Sequence, residues 1–112
     1  MSKTDNKAPE NQAVDEKFFE RVDTLIAITN GYIKANVHPE FASNSFMFAA
    51  SRFNAWMAAA GHKNVEDFAN EKEKILAYYS DQYKLMLNEN LDDYIKNFDK
   101  YMSPVQDPAE KK

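Results

Sequence analysis

Arg52 and Asn54 interrupt the most apolar stretch of the chain, SNSFMFAASRFNAWMAAA from Ser43 to Ala60. A guanidinium in such surroundings calls for an anion gripped by two parallel hydrogen bonds. With Trp56 one turn further on as an aromatic wall, Arg52 could anchor an anion or small molecule, or take part in its hydrolysis. The carboxylates able to answer it from within the chain are Asp92, Asp93 and Asp99. This structural reading is the stronger, because a partly buried arginine with acids in reach usually ends up paired with them. Arg52 is therefore expected to tie its own helix to the C-terminal one through one of these aspartates.

With Glu89, the same aspartates form the densest acidic cluster, and oxygen ligands so close in sequence could hold Mg2+ or Ca2+. Asp92 lies four residues before Lys96, however, which is the favourable order for a solvated helical ion pair, and no loop with calcium-site spacing exists. His38 and His62 fall beside helix ends, opposite neither a nucleophile nor a second ligand. Ser43, Ser45 and Ser51 lack the G-x-S-x-G context of a nucleophile elbow, and no P-loop, dinucleotide fingerprint or H-E-x-x-H is present. No catalytic residue is assigned, and no cofactor or metal is expected.

Composition narrows the class further. No apolar run approaches the roughly 20 residues needed to cross a bilayer, so no membrane association is expected. No secretory signal is visible, and a cytoplasmic location follows as the default. Zero cysteines exclude disulfides and thiolate chemistry. The net charge of −4 comes entirely from residues 14 to 102, and the lysines there are interleaved with acids, a pattern that argues against nucleic acid as a partner.

The elements that must position these residues are helical throughout. Residues 1–13 and 103–112 are polar, aperiodic or proline-bearing and read as disordered tails around a single domain of residues 14–102. A first helix is predicted from Asp15 to Asn36, with Phe18, Val22, Leu25, Ile26, Thr29, Tyr32 and Ile33 on its buried face. Gly31 inside it costs about 1 kcal/mol relative to Ala, which suggests close approach of another helix. Pro39 ends this helix, and Ser43 is the expected cap of a central one that closes at Gly61 in the left-handed region. Asn64 opens a third helix. Its apolar phase runs unbroken to Met102, about 55 Å at ~1.5 Å per residue, so a kink or new start is predicted near Asn90. The fold class is all-α, a small bundle of three to four helices, the last one long or kinked near Asn90.

The second half of the chain carries more apolar side chains than one core contact needs. Adjacent pairs such as Tyr78-Tyr79 and Met86-Leu87 point about 100° apart, and the surplus predicts an interface at Tyr78, Tyr83 and Leu87, for a homodimer or another protein.

Three segments, FFERVDTLIAITN, AASRFNAWMAA and ENLDDYIKNFDKYM, together resemble a family of small proteobacterial proteins without assigned function, domain of unknown function 3144. The resemblance spans roughly Phe18 to Met102, and RFNAW and NLDDYIxNFDxYM are its specific parts. It implies an all-helical bacterial protein and carries over no catalytic residue. It also marks Arg52, Asn54, Trp56, Asp92, Asp93 and Asp99 as positions by which the family is recognised. The functional expectation is a non-enzymatic interaction module; the alternative is a ligand-binding protein or hydrolase built on Arg52, Trp56 and the three aspartates.

Overall fold

A computed structural model describes residues 14–103. The expected disordered tails, apart from Ser103, lie outside the described residues. Five helices and no strand occur among them: α1 (Phe18–Lys34), α2 (Pro39–Ala60), α3 (Val65–Asn70), α4 (Lys72–Lys96) and α5 (Phe98–Met102). The chain is all-α, and none of its described helices is long and apolar enough to cross a membrane. The described residues divide into two compact units, Asp15–Leu76 and Ala77–Ser103 with Val14.

In the first unit, α1 begins at Phe18, three residues later than expected, and Asp15 works on its start from outside. The Asp15 carboxylate accepts hydrogen bonds from the Lys17 backbone N–H and the Arg21 guanidinium, both at 3.0 Å. Pro39 does not terminate the helix. Asn36 adopts φ 75°, its N–H donates to the Ile33 carbonyl and the Val37 N–H to the Tyr32 carbonyl, both at 3.0 Å. This pair of bonds is a Schellman closure, in which Asn supplies the left-handed residue usually provided by Gly. Gly31 has open space around it: a Cβ there would meet nothing within 4 Å, so no helix approaches it. Its place in α1 is a tolerated propensity cost.

α2 starts at Pro39 itself, four residues before the expected cap at Ser43. His38 replaces Ser43 as its cap, with Nδ1 accepting the Glu40 N–H at 3.0 Å. Proline at the first helical position costs no hydrogen bond, since that N–H would be unsatisfied anyway. At the other end, Gly61 has φ −84° and is not left-handed. His62 completes the terminus: its Nδ1–H donates to the Ala58 carbonyl at 2.8 Å while its ring lies 5.3 Å from that of Phe68. α3 opens as expected, with the Asn64 side chain accepting the Asp67 N–H at 2.9 Å.

The long C-terminal helix passes through Asn88-Glu89-Asn90 without a break. Asn90 Nδ2 donates to the Met86 carbonyl at 3.0 Å, so the side chain bonds back onto its own helix instead of starting a new one. The interruptions fall at Glu71 and Asn97, which explains five helices where three or four were expected.

Burial is sparse. Among the described residues Ala42, at 2% exposure, is the fully buried apolar side chain, and Gln82 the buried polar one. α1 and α2 pack on each other, and Phe18, Phe19, Val22, Thr29 and Ile33 of α1 are half-buried. α2, the most apolar stretch of the chain, is largely open: Phe53 and Trp56 are 62% and 60% exposed, their rings 5.4 Å apart.

Candidate interaction surface

The residues singled out for chemistry are placed as follows. Arg52 and Trp56 are exposed on α2, and Asn54 is half-buried. Asp92 and Asp93 stand on α4 and Asp99 on α5. The ion pairs seen among the described residues, Lys17–Glu20 and Arg21–Asp15, are both at the start of α1 and do not include Arg52. Asp93 is engaged locally: its carboxylate accepts from Asn97 Nδ2 at 2.9 Å and from the Tyr101 hydroxyl at 3.1 Å. Asn97 Nδ2 also donates to the Asp93 carbonyl at 3.1 Å, and the rings of Tyr94 and Tyr101 are 4.7 Å apart. The DDYIKNFDKY segment therefore encodes a turn-and-restart. Asp93, Asn97 and Tyr101, at successive four-residue steps, hold α5 onto the end of α4. Among the described residues no group of three or more His, Asp or Glu gathers as metal ligands would. A shallow, open depression lined by Lys17, Glu20, Arg21, Thr24 and Leu25 lies at the start of α1.

The feature that stands out is apolar. At about 100° per residue, Leu76, Tyr83, Leu87, Leu91 and Tyr94 fall on one side of α4, with Ile95 on its margin, and Phe98 and Met102 on α5, beyond the interruption at Asn97, are exposed as well. Their exposures run from 42% at Leu87 to 74% at Ile95. Single exposed apolar residues are ordinary on any surface, but a stripe along the longest helix, broken among its inner positions by the small Ser80, is not. The neighbouring side of the same helix, about 110° round from the stripe, is the shielded one, with Ile75, Tyr79, Met86 and Asp93 half-buried and Gln82 buried.

Of the three interface residues expected from sequence, Tyr83 and Leu87 belong to this stripe. Tyr78 does not: five positions before Tyr83, it lies about 140° round the helix and packs edge-on against Tyr79, ring centroids 5.1 Å apart. Leu91, Tyr94 and Phe98 are further exposed apolar residues of this half of the chain that the sequence reading did not single out for an interface. Their helical phase with Leu87 was the available signal, but phase alone reads equally well as core.

Residues 18–95 match the sequence model of a family described as protein of unknown function, DUF3144. Among solved structures, the NMR structure of the protein NB7890A from Shewanella sp. is 32% identical in sequence. It aligns with a TM-score of 0.67 over 85% of this chain and 100% of that chain. No curated protein matches the sequence.

Proposed function

Since the match over residues 18–95 makes the chain a member of the DUF3144 family of proteins of unknown function, we propose that it is a non-enzymatic interaction protein whose first partner is a second copy of itself. The observation that carries this reading is the exposed stripe on α4 and α5. Ordering each residue of a chain costs on the order of 1 kcal/mol or more in conformational entropy, and apolar burial is the main compensation. Ala42 is the fully buried apolar side chain among the described residues, and a partner that covers the stripe would add to that compensation.

The stripe is large enough to supply it. Its eight side chains are each about half exposed. At roughly 200 Å² for a whole large side chain they present about 800 Å², the contribution of one partner to an interface of standard size. A symmetric dimer is the commonest closed arrangement that hides such a face without a different gene product. Sedimentation equilibrium tests the reading. The expected mass is twice the 12.9 kDa of the chain, returning to the single-chain value in the Leu91→Glu variant. A wild-type species that stays at 12.9 kDa at concentrations of about 100 μM would discard it.

A further inference from the structure

We infer that the two copies pair their α4–α5 stripes antiparallel, with Leu87 on the two-fold axis. This rests on the self-association reading above and adds its register. In an antiparallel isologous contact, residue i of one copy meets residue j of the other and j meets i, so such pairing needs a stripe complementary to its own reverse. About Leu87 it is. Tyr83 and Leu91 lie four positions to either side and Ser80 and Tyr94 seven, all within α4. Antiparallel pairing sets the small Ser80 against the bulky Tyr94 twice, filling each gap with a ring. Parallel pairing would oppose Tyr94 to Tyr94 and Ser80 to Ser80, crowding one level and leaving a void at the other, and voids and overpacking both destabilise.

Charge selects the same direction. From Lys72 to Lys84, α4 carries three lysines against Glu73 and Asp81; from Glu89 to Lys100 the chain carries four acids against Lys96 and Lys100. Antiparallel copies lay the basic part of one along the acidic part of the other, with Lys84 beside the 88–92 stretch. Parallel copies would oppose like to like. The helix dipoles are also opposed in the antiparallel pair. α2 offers no comparable selection, because Glu40 and Arg52 are its charged residues.

The absence of cysteine makes the register directly readable with single-cysteine variants. Under mild oxidation Leu87→Cys should form a disulfide-linked dimer. Ser80→Cys should not link to itself, since the two sites would be about 21 Å apart at ~1.5 Å per residue, yet it should link to Tyr94→Cys when the two are mixed. A spin label on Lys72→Cys, outside the stripe, gives a second readout: about 45 Å between labels for the antiparallel pair, against near neighbours for the parallel one. Self-linkage of Ser80→Cys, or short label distances, in a protein that sediments as a dimer would overturn the register and leave self-association standing. A wild-type protein that sediments as a monomer would remove both.

Discussion

At the scale of single residues, the local hydrogen-bonding side chains carry the clearest expectations. The Arg21 guanidinium, bonded to Asp15 at 3.0 Å, and the Lys17 N–H together hold the Asp15 carboxyl below its ordinary value. A depressed carboxyl contributes stability above its unfolded value, and that contribution disappears as pH falls through the lower folded value. In an NMR titration Asp15 should therefore titrate below a model aspartate, and Arg21→Met should move it upward; an unmoved midpoint would show the contact absent in solution. Asp93 offers a second test. It accepts from both Asn97 and Tyr101, and charge-assisted bonds of this kind are worth about 1.5–3 kcal/mol when shielded and less at partly open sites. Asp93→Ala should cost roughly 1 kcal/mol and speed amide exchange in α5, at Tyr101 above all, while leaving α1 unaffected.

At the scale of the element, helix boundaries here are written in caps. Asn64, Asn36, His38 and His62 each satisfy or redirect backbone groups that a helix end leaves open. Asn64→Ala should destabilise by about 1 kcal/mol, the usual value of such a cap, measured by chemical denaturation. Gly31 tests the packing of α1. Because a Cβ there meets nothing within 4 Å, Gly31→Ala should stabilise by about 0.4–1 kcal/mol through helix propensity and a less flexible unfolded chain. Destabilisation would mean that another helix, or a second copy, comes closer to Gly31 than the isolated chain shows.

At the scale of the molecule, stability should be inseparable from association. An obligate dimer has a midpoint that rises with protein concentration, because mass action favours the folded, associated state. Thermal unfolding monitored by circular dichroism is expected to shift upward with each tenfold increase in concentration. Leu87→Glu, which places two carboxylates at the proposed axis, should lower the midpoint and remove the concentration dependence. A wild-type midpoint independent of concentration would indicate that the chain stabilises itself without a partner.

The all-helical class, the cap at Asn64 and the shared phase of Tyr83 and Leu87 were determined by the sequence alone, since periodicity, capping chemistry and the lack of strand pattern are local properties. Some local features were present but outweighed by stronger signals: Asn36 as a left-handed stop was hidden behind Pro39, and Asn97 behind the more suggestive Asn88-Glu89-Asn90. Tertiary structure alone decided which apolar faces remain open. Phe53, Trp56 and Met57 carry a core pattern and stand exposed, while Gln82 on α4 is buried. The physical reason is that periodicity states which side chains share a face, whereas burial depends on what lies opposite that face, and that is set by contacts between segments distant in sequence or between chains.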